Sequence, residues 1–316
     1  MKQLVKNIIM LIVSLIGIIA FFILWPKFHP ENAKIITTNF AGFDFARSVT
    51  TDKAGVKMLI KPGTEMHSYE PTPQDIIAIE QAKLFIYNGG ESDAWVDKIL
   101  SDNNIPREKT LRLMDYVDLK TEENKDGMEA EEEEEDEEEE EYDEHIWTSP
   151  KNAIRLIEAI RDKLAEIESD NSDTIHENAR NYIQRIRDID ENFRSVVAAA
   201  PTKTLIFGDR FPFRYFVDEY GLDYYAAFPG CSDQTEASSS TIAFLVNKAK
   251  ETGAKAIFKI ELTNGQLAKT IAEESGAKVY ELNAAHNISS EEFEKGITYA
   301  DIMERNVDTL KEALYR

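Results

Sequence analysis

A chain of 316 residues that is 42% hydrophobic and 30% charged can bury at least one large core and suggests about two domains, not a disordered polymer. Of the formal net charge of −23, Glu129 to Glu144 supply fourteen acids and no base, so the body is only moderately acidic. No concentrated Lys/Arg face exists for phosphate backbones, which excludes a nucleic-acid-binding protein. The single cysteine, Cys231, excludes an intramolecular disulfide and a four-thiolate zinc site.

The chain opens with Lys2 and Lys6 ahead of an uncharged apolar run from Ile8 to Trp25. Eighteen residues span about 27 Å as a helix, and the lysines favour the cytoplasmic side. The expectation for residues 1–32 is an uncleaved membrane anchor with the rest outside; a cleaved signal segment is the rival.

Next come short β-branched or aromatic runs, "KIITTNF" (34–40), "GVKMLI" (55–60) and "AKLFIYNG" (82–89), alternating with the helix-like "FDFARSVT", "TPQDIIAIEQA" and "ESDAWVDKILS". That alternation predicts βαβ units and a parallel sheet. Residues 118–144 then lose apolar periodicity; like charges cannot pack against one another, so the segment reads as a solvated, mobile acidic loop.

A helical pattern resumes at Pro150. In the segment from Ser172 to Ala200, Ile175, Tyr182, Ile186, Ile189, Phe193 and Val197 recur at helical spacings. Ser172 or Asp173 is the expected N-cap, and Pro201 the stop. Strand and helix patterns then alternate again, with strands at 203–208, 224–228, 254–260 and 277–282 and a closing amphipathic helix. The fold class predicted is α/β, two lobes each with a mainly parallel sheet, joined by one long rigid helix. The corresponding boundaries are 33–171, 172–200 and 201–316.

Of five histidines, His29 and His176 read as solvated. His67, His145 and His286 each fall just past a predicted strand or at a loop edge, where open α/β sheets collect ligands. Three neutral imidazoles from separate strand ends, with nearby carboxylates, suit a tetrahedral zinc site; equally, each could be an isolated loop histidine. No nucleophile elbow, phosphate-cradling glycine loop or H-E-x-x-H is present. Glu65 and Glu70 beside His67 are only a weak acid–base pair.

Taken in order, "NFAGFDFARSV", "MLIKPGTEMHSYEPTPQDI", "FIYNGGESDAWVDKIL", "DEHIWTSPKNA", "RYFVDEYGL", "IAEESGAKVYELNAAHNIS" and "ITYADIMERNVDTLKEAL" resemble the metal-binding lipoproteins of zinc and manganese ABC importers. The resemblance covers residues 33 to 315. It implies two α/β lobes bridged by a rigid helix, a metal held in the cleft between them, and delivery of extracellular metal to a membrane ABC permease by a monomer. It also implies metal ligands at His67, His145 and His286. The family's third ligand position falls on Arg210, which stays protonated and cannot bind a cation. His286 stands where relatives carry an acid, and can restore a three-histidine set. Asp209 or Glu236 is then a candidate fourth ligand, with Arg210 and Glu70 orienting the ligands from behind. Three imidazoles favour Zn²⁺, whereas a two-histidine, two-carboxylate set would favour Mn²⁺. The acid run occupies the place of a histidine-rich insertion and would at most gather cations. No enzymatic activity is expected; a surface adhesin on the same fold is the alternative, and a metal-dependent hydrolase a weaker one.

Overall fold

The computed structural model describes residues 34–64, 66, 69–129, 141–232 and 236–315. The expected anchor, His29, Glu65, His67 and the centre of the acid run lie outside the described residues. Among the described residues no helix is long and apolar enough to cross a membrane.

Two four-stranded sheets, all parallel, have the same strand order. The first runs β2 (Val56–Met58), β1 (Ile35–Thr37), β3 (Leu84–Tyr87), β4 (Thr110–Arg112). The second runs β6 (Asp223–Phe228), β5 (Thr204–Arg210), β7 (Ala256–Lys259), β8 (Lys278–Glu281). In this order the chain reverses direction beside the first strand of each sheet, which leaves a crevice at the strands' C-terminal ends. β4 is the strand missed in the sequence: three residues with one buried side chain carry too little pattern.

The first sheet is served by α1 (Phe40–Val49), α2 (Pro73–Gln81) and α3 (Trp95–Asp102), after which α4 (Pro150–Ile167) leads to the bridge, α5 (Ser172–Ala199). The second lobe adds α6 (Arg214–Tyr220), α7 (Ser239–Thr252), α8 (Gln266–Ser275), α9 (Ser290–Lys295) and α10 (Tyr299–Leu314). At 28 residues α5 is about 42 Å long. A 3₁₀ turn, Ser169–Asn171, feeds directly into it, so Asn171 rather than Ser172 or Asp173 is the cap, and no side chain caps it.

The buried stripe of α5, including Ile175, Ile183, Ile186, Ile189 and Phe193, belongs to one continuous apolar core shared by α1, α4, α6, α10 and the inner faces of both sheets. Two smaller cores fill the outer faces, under α2 and α3 and under α7 and α8. Separating the lobes would therefore expose the main core. At about 1.5–3 kcal/mol per buried large apolar side chain, that resists any wide swing.

The expectation of a solvated loop over 118–144 is corrected at both ends. Glu122 N donates to Glu141 O and Asp143 N to Lys120 O, both at 2.9 Å, around an antiparallel bridge of Thr121 with Tyr142. The outgoing arm then lies along β6 of the second lobe. Lys125 Nζ is 2.6 Å from Asp223 Oδ1 and 4.1 Å from the Tyr224 ring centre, Met128 is buried, and Glu129 N donates to Ala227 O at 2.9 Å. Lys125 supplies an ion pair and Met128 apolar burial, and the glutamates beside them also reach the second lobe: Glu123 accepts from Tyr224 OH at 3.1 Å and Glu122 from Cys231 N at 2.9 Å.

Candidate metal centre

His145 opens a 3₁₀ turn, Ile146–Thr148, that precedes α4. Ser149 caps α4, accepting from Asn152 N, and Pro150 sits in its first turn, where a missing N–H costs nothing. Thr148 closes the turn on the His145 carbonyl through its amide at 3.1 Å and its hydroxyl at 2.8 Å. The residue before the histidine is also seated: Glu144, buried, accepts from Ser92 N at 2.7 Å, and its carbonyl accepts from Asn88 Nδ2 at 2.9 Å. This seat requires glycine at Gly90, where φ is +83° and a Cβ would lie 2.4 Å from Glu144 Oε1.

The His145 ring is wholly buried. Its backbone N donates to Asp143 Oδ1 at 2.8 Å, and its Nδ1 lies 3.1 Å from the same oxygen. In the neutral ring this places the proton on Nδ1 and the lone pair on Nε2, the nitrogen Asp143 does not hold. Burial opposes a charged imidazole here, but the carboxylate of Asp143, with Glu144 and Glu122 behind it, outweighs burial and holds the pKa above the ordinary histidine value.

His286 follows β8 on the second lobe and is built the same way. Its backbone N donates to Glu261 Oε1 at 3.0 Å and its Nδ1 is 3.1 Å from that oxygen, while Glu261 Oε2 accepts from Ala284 N at 2.7 Å. Burial and the neighbouring His145 depress the His286 pKa despite Glu261. Burial alone would raise the Glu261 pKa; the His286 bond and the backbone donors overcome it and keep the carboxylate below its usual range. Ala285, buried immediately before His286, has φ +56°, and Leu262, after Glu261, has φ +59°. Left-handed backbone at non-glycine residues costs of order 1–3 kcal/mol and concentrates where geometry is constrained for function.

The two imidazoles meet at the lobe junction, ring centres 4.5 Å apart and nearly perpendicular at 79°. Cross-lobe bonds bracket them. Trp147 Nε1 donates to Ala284 O at 2.7 Å, Tyr299 OH donates to Trp147 O at 2.7 Å, and Tyr215 OH donates to Asp143 O at 2.9 Å. A cavity of about 140 Å³ opens beside His286, lined by Gly63, Thr64, Met66, Arg210 and Glu261 among others.

Arg210 thus reaches the site, with Nη1 donating to Ser232 O at 3.2 Å; its charge adds to the depression of the His286 pKa. The other candidates are not brought to the imidazoles. Asp209 Oδ2 accepts from Thr263 Oγ1 at 2.7 Å and Ile260 N at 3.3 Å in and beside the loop after β7, and its Oδ1 accepts from Arg210 N at 3.0 Å, which engages both its oxygens. Glu236 is exposed ahead of α7, and Glu70 is exposed. The orienting carboxylates are instead Asp143 and Glu261. Glu261 carried a usable signal in the sequence: a lone acid ending the apolar run "AIFKIE" at a sheet's C-terminal edge. Among the described residues no three His, Cys, Asp or Glu groups form a metal cage, so the histidine pair needs a further donor.

Two parallel-sheet lobes, a rigid bridging helix and imidazoles from both lobes meeting at the junction are the build of a metal-capturing binding protein. The profile of the family described as zinc-uptake complex component A, periplasmic, matches residues 35–313, and the chain belongs to that family. It is 33% identical to the high-affinity zinc uptake system protein ZnuA of Bacillus subtilis, over 90% of this chain and 88% of that protein. It is 30% identical to the zinc-binding lipoprotein AdcA of Streptococcus pneumoniae, over 97% of this chain but only 61% of AdcA. The Zn(II)-bound ZnuA-like domain of that AdcA superposes with a TM-score of 0.72 at 29% identity, covering 89% of this chain and 98% of the domain. The family is one of zinc-uptake components, and both of these relatives are named for zinc.

Proposed function

We propose that this protein captures Zn²⁺ outside the cytoplasm with His67, His145 and His286 and passes it to a membrane ABC permease. In this reading the first lobe, residues 33–171, supplies His67 and His145, and the second, 201–316, supplies His286. The 172–200 bridge holds them in register. The observation that carries it is the pair His145 and His286, 4.5 Å between ring centres, each with Nδ1 on a carboxylate, so that Nε2 is the nitrogen able to donate to metal. A carboxylate behind a metal-binding imidazole fixes its tautomer and raises its basicity. Imidazole donors select zinc over manganese. Arg210, unable to ligate, leaves a fourth position to water or a small anion.

The protein acts by binding and release as a monomer, without turnover, tethered by its N-terminal apolar segment. Competition with a chromophoric chelator tests the ligand set: His67→Ala, His145→Ala and His286→Ala should each weaken zinc binding at least a hundredfold, and undiminished affinity in any of them removes that residue from the site.

A further inference from the structure

Asn287, directly after His286 and buried at 1% exposure, sends its side chain into the opposite lobe. Its Nδ2 donates to Lys61 O at 2.7 Å and Thr64 O at 2.8 Å, using both N–H groups. Its Oδ1 accepts from Ile288 N at 2.8 Å, which fixes which way the amide faces. One residue on, Ile288 O accepts from Gly63 N at 2.8 Å. The turn at 61–64, closed internally by Thr64 N on Lys61 O at 3.1 Å, is therefore held to the second lobe by three hydrogen bonds. None uses an atom that would touch metal.

His67 lies three residues beyond Thr64, and three residues reach at most about 11 Å. Where Thr64 is pinned thus limits where the His67 imidazole can go. A residue ordered only on metal arrival adds its lost conformational freedom to the binding free energy as a penalty. A turn already anchored does not.

We propose that Asn287 is a positioning residue for metal capture: its amide docks the 61–64 turn against the second lobe before metal arrives, setting the reach of His67 and slowing zinc release. This rests on His67 being a ligand. Asparagine suits the task because both acceptors are carbonyls. Asp would face them with oxygen, and Ala would remove both donors, leaving the Lys61 carbonyl only the Thr64 amide.

The test uses the purified full chain. In Asn287→Ala and Asn287→Asp, zinc release into excess chelator should be at least tenfold faster, with association changed less than threefold. In the zinc-free parent, the Gly63 amide should already be protected from hydrogen exchange; in the variants that protection should fall while amides of β5 and β7 keep theirs. Release within twofold of the parent overturns the proposal. So does a Gly63 amide in the zinc-free parent that exchanges freely and is protected only by zinc, a measurement that stands even if the variants fail to fold. If His67→Ala binds zinc as tightly as the parent, the ligand reading fails; if His67→Ala is weakened and the Asn287 variants are not, only the docking role fails.

Discussion

His145 and His286 are held by mirrored devices: each offers its backbone N and its Nδ1 to a single carboxylate oxygen, Asp143 Oδ1 and Glu261 Oε1 respectively, at 2.8 and 3.1 Å and at 3.0 and 3.1 Å. Both carboxylates belong to the same lobe as the histidine they orient. Each lobe thus aims its own imidazole, and lobe packing only has to bring the two together.

Removing either carboxylate should harm metal binding without touching a ligand. Asp143→Asn and Glu261→Gln are each expected to weaken zinc affinity about 10–100-fold, the usual cost of losing the partner behind a metal-binding histidine. Chelator competition at neutral pH measures it; parent-like affinity in both variants would show that the carboxylates only hold backbone.

The two histidines should titrate apart, and the sign for zinc follows. Protons compete for the same lone pairs. His145, its pKa raised by Asp143 against the effect of burial, is protonated first on acidification, while His286, its pKa depressed by burial and by His145, stays neutral longer. Zinc affinity should therefore begin to fall above the ordinary histidine pKa of about 6.5, and in Asp143→Asn the fall should move to lower pH. Affinity titrations across this range decide it; an unmoved profile in Asp143→Asn contradicts the assignment.

Stability of the zinc-free protein should depend on Asp44. This buried acid on α1 accepts from Tyr182 OH on the bridge and from Tyr299 N at the start of α10, and burial raises its pKa from 3.8 to about 6. The folded state then holds the proton more tightly than the unfolded one, so this contribution is full below about pH 4 and is lost as pH rises through about 6. Both bonds fall on one oxygen, Oδ2, which an amide oxygen can replace. Asp44→Asn should keep the fold and flatten the decline in stability between those values, read by urea unfolding; an unchanged slope would place the linkage elsewhere.

Tyr215 joins the lobes at the neck of the acid run. Its hydroxyl accepts from Lys120 N at 3.1 Å and donates to Asp143 O at 2.9 Å. Tyr215→Phe leaves both backbone groups without this partner and should cost about 1–3 kcal/mol by urea unfolding. Replacing residues 130–140 by an uncharged linker of the same length, in contrast, keeps the docked arms and should leave zinc affinity unchanged.

Much of this architecture was legible in the sequence. The βα alternation, the bridge, the placement of His145 at a helix entry and that of His286 past the last strand all follow from local periodicity. What was not legible depends on distant partners. Nothing local to Glu122 or Lys125 says that β6, a hundred residues on, receives the arm, and nothing in "AAHN" says that Asn287 reaches Lys61. Asp209 was a candidate fourth ligand, but Thr263 and the Ile260 amide claim its Oδ2 and the Arg210 amide its Oδ1. The role of Asp143 emerges only when the backbone turn brings its carboxylate under the imidazole, and that of Glu261, flagged locally as a lone acid ending an apolar run, only when His286 arrives above it.

The central claim, that imidazoles of both lobes share one zinc ion, is tested most directly by an anomalous difference map at the zinc edge from crystals of the zinc-loaded full chain. The predicted result is one strong peak between the lobes, about 2.0–2.1 Å from a nitrogen of each of His67, His145 and His286. A peak held only by carboxylates, or one that leaves either His145 or His286 uncoordinated, would contradict it.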